Sequence, residues 1–289
     1  MSGGPAGGLR FAYGSNGLGD HRLADALWFL ADEGYGGVAL TLDHHHLDPF
    51  APDLAARVGA VRRTLDHLGL AVVVETGARY LLDPRRKHEP TLVSDEGRGR
   101  RLSFLRLALR IAADLGSPVL HLWAGLAPAG ADPAAVWSRL VDGVGALLDD
   151  AERAGIDLAF EPEPGMVVAD LDGYDRLLAA VAGHPRLRLT LDVGHCRVLE
   201  PQPEPDCVRR AGGRLAHVQI EDALRGRHEH LPFGDGEIDF PPVLHALAEI
   251  GYNGLVSVEL TRHSHTAHTM VPAAIAFLRA SERQVEVTT

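Results

Sequence analysis

Two cysteines in 289 residues, Cys196 and Cys207, are too few for a disulfide framework and fit thiols kept reduced in a cytosol. No apolar stretch approaches the roughly 18 residues needed to span a bilayer. The first eight residues, MSGGPAGG, hold no apolar core segment, so they read as a flexible N-terminus and not as a secretory leader. Lysine and arginine, 28 together, are outnumbered by 39 acids, and the formal net charge is −11. That balance argues against nucleic acid or an anionic membrane as partner, because both call for a basic surface. No Gly-rich dinucleotide fingerprint follows the first apolar run. What remains is the composition of a soluble, cytoplasmic globular protein with a sizeable core.

What the chain does have is a rhythm. Short apolar runs recur at 9–14, 36–43, 70–77, 117–125, 156–165, 187–195, 214–222 and 255–263. They are rich in bulky apolar residues, end in Gly, Pro or a charge, and do not alternate strictly, as suits strands buried on both faces. Helical patterns fill the gaps, at 20–34, 53–69, 101–116, 134–155, 172–183, 240–251 and 269–281, several of them ending at glycine. Eight strands alternating with helices over this length predict an α/β fold, a single (β/α)8 TIM barrel spanning residues 9–281, followed by a polar tail at 282–289. An open doubly wound sheet is the alternative. The connection at 78–100 is long and carries Arg85, Arg86, Lys87 and His88; it reads as a solvated basic loop or, as adopted here, a lid.

Chemistry in such a barrel gathers at the C-terminal ends of the strands. Strand three ends in Glu75, strand four in His121 and Trp123, and strand five in LAFEPEPG with Glu161 and Glu163. Strand six offers Asp192 and His195, strand seven His217 and Gln219, and strand eight Glu259. Residues two apart share a face, so Glu161, Asp192, Gln219 and Glu259 converge. Any one of them alone is more simply a helix cap or a loop salt bridge. Acids on strands five, six and eight together would repel one another, and one divalent cation resolves the repulsion. Three carboxylates and an amide oxygen form a hard donor set, favouring Mg²⁺ or Mn²⁺, with Co²⁺ or Zn²⁺ as further options. Glu75, His121 and Trp123 are expected as pocket walls, with a core tryptophan as the plainer reading of Trp123. Glu163 is expected in a supporting or substrate-binding role.

The motifs FEPEPG, LDVGH, HVQIED, HLPFGDGEIDF and VSVEL, in this order, resemble the xylose isomerase-like TIM barrel superfamily of sugar and sugar-phosphate isomerases and epimerases. The stretch ETGARYLLDPRRKHEPTL further resembles its EboC-like subgroup. The resemblance implies metal ligation by Glu161, Asp192, position 219 and Glu259, with Glu161 and Glu259 as the acid/base pair. It implies substrate binding by His195 and by the residue at 230, where epimerases often carry Arg and this chain has His230. The strand-seven motif usually reads His-x-His; here Gln219 replaces the second His, which weakens the case for zinc, and His217 is expected as a packed core histidine.

The implied reaction is proton transfer on a small polyhydroxylated ketone, sugar or sugar phosphate through a metal-stabilised enediolate, giving epimerisation or isomerisation. A cyclitol ketone is a further substrate class, and a homodimer or homotetramer is the implied assembly. Dehydration on the same site is the alternative. An endonuclease of the same barrel type, acting as a phosphodiesterase at abasic sites, needs a trinuclear metal cluster and more histidines, for which His121, His195 and His230 are candidates. A sugar-binding barrel without catalysis is the remaining rival.

Overall fold

The computed structural model describes residues 8–286. Eight parallel strands close into a barrel. Seven of them are β1 (Arg10–Gly14), β2 (Gly37–Thr41), β3 (Ala71–Glu75), β4 (Val119–Trp123), β5 (Asp157–Glu161), β6 (Leu187–Asp192) and β7 (Leu215–Ile220). An antiparallel hairpin, β8 (Asp222–Leu224) with β9 (Arg227–Leu231), precedes the eighth barrel strand, β10 (Leu255–Val258). Around the ring the order is β1-β10-β7-β6-β5-β4-β3-β2. All eight expected barrel strands are present, and the barrel, not the open sheet, is the architecture.

The helices are α1 (Leu23–Asp32), α2 (Leu54–Leu68), α3 (Arg98–Leu115), α4 (Pro133–Ala154), α5 (Leu171–Ala180), α6 (Val193–Leu199), α7 (Glu204–Ala211), α8 (Phe240–Glu249) and α9 (Ala267–Glu286). Asp132 caps α4 by accepting from the backbone N–H groups of Ala134 and Ala135, with Pro133 at the first helical position. Gly69, Gly116 and Gly155 end α2, α3 and α4 in the left-handed conformation. The sequence pattern missed α6, α7 and the hairpin. It also started α3 three residues late, since the helix begins at Arg98. The final helix runs to Glu286, into the segment expected as a tail. Glu282 there accepts the backbone N–H of Leu9 at 2.6 Å. Residues 1–7 and 287–289 lie outside the described residues. Among the described residues no helix is long and apolar enough to cross a membrane.

The main core lies between the barrel and its helices. Phe11, Tyr13, Leu40, Val74, Leu122, Phe160, Leu189 and Val256 point outward from their strands and are fully buried there. The barrel interior is different, and it is graded. Its floor is a separate cluster of mostly small apolar side chains, Ala12, Val73, Val119, Ala159 and Leu255. Thr190, His217 and Ser257 form a neutral polar layer above it, and His217 shares a hydrogen bond of 2.9 Å with Ser257. The acids come one pleat higher. Register carries this order around the ring, with Thr41 beside Glu75, Glu75 beside His121, and Asp192 beside Gln219.

Gly37 shows how tightly the floor is closed. A Cβ at this position would stand 2.8 Å from the carbonyl oxygen of Ala71 and 2.8 Å from both methyl groups of Leu255. Gly37→Ala is therefore expected to destabilise the protein by about 1–3 kcal/mol through overpacking. Urea unfolding reads this directly, and an unchanged midpoint would mean that strands β2 and β3 can part at no cost.

Candidate metal centre at the barrel mouth

The C-terminal mouth of the barrel opens into a cavity of about 650 Å³. Among its lining residues are Glu75, His121, Trp123, Glu161, Glu163, His195, Gln219, His230 and Glu259, all of them singled out from the sequence. Asp192 is buried beside them and reaches His195. Four consecutive strands of the ring, β5, β6, β7 and β10, thus deliver Glu161, Asp192, Gln219 and Glu259 to one side of the mouth.

Hydrogen bonds hold these groups in place. Gln219 Nε2 donates to Glu259 Oε2 at 2.6 Å and to Glu75 Oε1 at 3.1 Å. Asn16 Nδ2 donates to the other oxygen of Glu259 at 3.0 Å, and Thr41 Oγ1 donates to Glu75 Oε2 at 2.8 Å. His121 Nε2 lies 2.7 Å from Glu161 Oε2. Asp192 caps α6 by accepting the backbone N–H of His195 at 2.8 Å, which ties the strand-six acid to the His three residues on. His195 Nδ1 donates to the carbonyl oxygen of Pro162 at 3.2 Å. That bond fixes the tautomer and leaves Nε2 as a lone-pair donor.

The residues fit a divalent cation. Glu161, Asp192 and His195 offer ligand atoms that all lie within 4.8 Å of one another. Asp192 Oδ2 and Gln219 Oε1 are buried acceptors with no hydrogen-bond partner, an arrangement that costs free energy until something positive meets them. His195 therefore stands at ligand spacing as well as in the wall where a substrate would lie.

Sequence reasoning missed His228. It sits on β9 with its Nε2 3.0 Å from His195 Nε2, and His195, His228 and His230 form a second group at metal-ligand spacing. The signal was the His-x-His spacing in RHEHL, which puts both rings on one face of a strand. His121 is not part of that group; it pairs with Glu161 instead. Glu221, at the end of β7, is buried and lies 3.2 Å from His230 Nδ1. Asp222 takes no part in the mouth: it accepts the backbone N–H groups of Ala223, Gly234 and Ile238 and staples the loop after the hairpin. His217 is the buried core histidine expected, its pKa pushed down to about 3 by burial. Cys196 sits on helix α6, and both it and Cys207 are buried free thiols.

The long connection after β3 borders the same cavity. Tyr80, Lys87 and His88 face it, whereas Arg86 turns out to pair with Asp83. Tyr80 and His88 hold left-handed backbone conformations rare for non-glycine residues. His88 meets the indole of Trp123 edge-on, with ring centroids 5.3 Å apart. Behind the same indole lies the guanidinium of Arg101, 4.6 Å away and fully buried. Trp123 is thus a pocket wall clamped from two sides.

The sequence profile of the xylose isomerase-like TIM barrel family matches residues 28–281. The chain belongs to that family. It is 24% identical over 246 residues to the fructoselysine 3-epimerase of Escherichia coli O157:H7, covering 83% of this chain and 85% of that one. It is 31% identical over 176 residues to a putative hydroxypyruvate isomerase of Homo sapiens, covering 56% of this chain and 61% of the relative. A solved structure of L-ribulose 3-epimerase superposes with a TM-score of 0.75 at 20% identity, over 97% of this chain and 98% of that one. The last of these speaks for the fold.

Burial and crowding raise the proton affinity of Glu75, Glu161, Glu163 and Glu259, whereas, against its burial, the facing His195 and His230 hold Asp192 below the usual carboxylate range. Burial, with the nearby Asp192, Glu259 and Glu75 carboxylates, holds Glu161 well above the usual carboxylate range. Burial pushes Glu75 up to about 7, and burial with the Glu161 carboxylate pushes Glu163 up to about 8. Burial opposes the charge on His230, yet Glu221 holds it well above the usual histidine value. Glu75, Glu161, Glu163, Glu259 and His230 each bind protons more tightly in the folded protein than in the unfolded chain. The stability they confer is present at low pH and is lost as pH rises through the folded values. Histidines lowered by burial, such as His195 at about 4, have the opposite effect, but only below about pH 6.5. Between pH 6.5 and 8.5 the metal-free protein is therefore expected to lose thermal stability, by roughly 5 °C or more. Saturating Mn²⁺ is expected to flatten the slope. A melting temperature that is flat or rising over this window without metal would contradict the crowding.

Proposed function

We propose that the protein is a divalent-metal-dependent isomerase or epimerase of a small polyhydroxylated ketone, a sugar or a sugar phosphate. One observation carries this reading. Glu161 and Glu259, both with raised proton affinity, stand on the two outer members of four adjacent strands, and the unpartnered acceptors Asp192 Oδ2 and Gln219 Oε1 lie on the two strands between them. The names of the relatives, a fructoselysine 3-epimerase and a putative hydroxypyruvate isomerase, support the same class.

Glu161, Asp192, Gln219 and Glu259 would hold the ion, with His195 at ligand spacing. A Mn²⁺ or Mg²⁺ ion held there would polarise a ketone and make the neighbouring C–H more acidic. Glu161 and Glu259 approach the substrate from opposite sides, so one removes the proton and the other returns one. His121, 2.7 Å from Glu161, orients that acid. Trp123 and the connection at 78–100 shield the reacting carbon from water, and Glu163 and His230 are placed to bind substrate hydroxyls. Return to the opposite face of the same carbon epimerises; return to the next carbon isomerises; loss of a β-hydroxyl dehydrates.

One cluster favours a second reading. His195, His228 and His230 offer a nitrogen-only set beside the oxygen-rich one, and nitrogen ligands suit zinc. Two or three zinc ions per chain would point to metal-assisted phosphodiester hydrolysis.

Elemental mass spectrometry on untagged protein, purified without chelator, separates these outcomes. One manganese or magnesium ion per chain is expected, with a loss of tenfold or more in affinity in Glu259→Gln. The loaded enzyme is then expected to exchange a substrate C–H for solvent deuterium in a panel of ketoses, with exchange at least 100-fold slower in Glu161→Gln and Glu259→Gln. If no metal binds even when Mn²⁺ is offered, the acid/base mechanism fails and a sugar-binding barrel is the better account.

A further inference from the structure

The opposite end of the barrel holds a second cavity that the chemistry above does not use. It has a volume of about 570 Å³ and lies among the first residues of the strands. Volumes of this size are typical of small-molecule sites. Ala71, Val73, Val119 and Ala216 form its apolar wall. TIM barrels generally fill this space with layers of bulky branched side chains, and here the short side chains of Ala71 and Ala216 leave room among the strand ends. Exposed Arg10 and Asn253 stand at its rim, so it is reached from solvent.

Its charged wall is unbalanced. The two carboxylates that line it are already engaged: Arg62 Nε lies 2.8 Å from Asp66, and Arg186 Nη1 lies 3.0 Å from Asp157. Arg10 and Arg188 also line the cavity, and neither has a carboxylate partner among the described residues. Arg10 donates to the carbonyl oxygen of Asn253 at 3.0 Å, and Arg188 Nη2 donates to that of Gly213. Arg188 Nε is buried without any partner. Two guanidinium groups therefore remain unneutralised over an apolar hollow, in a chain whose net charge is −11. A guanidinium edge with a free Nε–H matches the two oxygens of a carboxylate.

We infer that the N-terminal mouth of the barrel binds a small organic anion, a carboxylate on a compact apolar body. Arg188 and Arg10 hold the carboxylate, and the alanine and valine floor buries the body. The site is separate from the metal centre and does not depend on the reaction performed there.

Calorimetric titration of the full-length, chelator-treated protein with benzoate tests this. Benzyl alcohol is the neutral analogue, and inorganic phosphate is an anion without an apolar body. One benzoate per chain is expected, bound at least tenfold more tightly than either comparison. Arg188→Gln is expected to weaken benzoate tenfold or more while keeping the parent's Mn²⁺ stoichiometry, which separates this site from the metal centre. Ala71→Leu keeps both arginines but fills the floor, and it is expected to abolish the binding. No saturable benzoate binding by the parent overturns the inference. So does equal binding by the parent and both folded variants, or phosphate binding as tightly as benzoate.

Discussion

The rest of the barrel mouth depends on one constraint: several carboxylates are held close together where water is scarce. Glu75, Glu161, Asp192 and Glu221 are buried, and Glu259 is half-buried beside them. Left charged, they would push one another apart. Gln219 answers part of this by donating one amide nitrogen to Glu75 and Glu259 together, and Asn16 and Thr41 each give a further donor. His121 and His230 face Glu161 and Glu221. These donors are not enough, because Asp192 Oδ2, Gln219 Oε1 and Glu221 Oε2 still lack partners. A mouth built this way demands protons or a cation, and that demand can be put to catalytic use.

The same eight strands that create the demand also confine it. Their outward residues pack against the helices as one continuous apolar core, while the inward residues change from alanine and valine at the floor to neutral polar groups and then to acids. Along β10 each step is one pleat, from Leu255 to Ser257 to Glu259 just past its end, whereas on β5 Ala159 of the floor is followed directly, on the same face, by Glu161. Strand pleating thus keeps the acids at fixed heights. Helix α6 extends the control beyond the sheet. It begins on Asp192, whose carboxylate caps it, and its first turn carries His195 back over the mouth.

Much of this was legible in the sequence. Apolar runs closed by Gly, Pro or a charge gave the eight strands, because burial on both faces makes each strand a short continuous apolar run, and the acids that close several of them gave the inward set by parity. The helices α6 and α7 were not legible. The stretch between them, LEPQPEP, reads as a loop, and each helix spans less than three turns, too short for its periodicity to register. The hairpin was hidden for another reason: RHEHL has no apolar alternation, since β9 is held by β8 and the mouth and not by a core. With the hairpin went His228, and with His228 the nitrogen cluster. Arg101 was also out of reach. Nothing local marks an arginine in RGRRLSFLRLALR as the one that is fully buried behind Trp123.

The two departures from the family pattern at 219 and 230 have a common consequence. At 219 an amide stands where the family motif has an imidazole, so the side chains that β5, β6, β7 and β10 bring to the mouth would offer an ion oxygen alone, the donor type preferred by Mg²⁺ and Mn²⁺. At 230 a histidine stands where a guanidinium would be, so a fixed positive fork is exchanged for a ring whose Nδ1 lies 3.2 Å from Glu221 and which stands at metal-ligand spacing. The nitrogen donors at metal-ligand spacing, His195, His228 and His230, therefore lie on α6 and the hairpin and not on β7. His195 is the junction between the two sets. Its Nδ1 faces the Pro162 carbonyl at 3.2 Å and Glu161 at 3.3 Å, so its Nε2 carries a lone pair. That lone pair can accept from His228, 3.0 Å away, but cannot bond the Asp192 carboxylate at 3.6 Å, which is itself an acceptor. A cation placed between His195 and Asp192 would therefore have to displace the contact with His228.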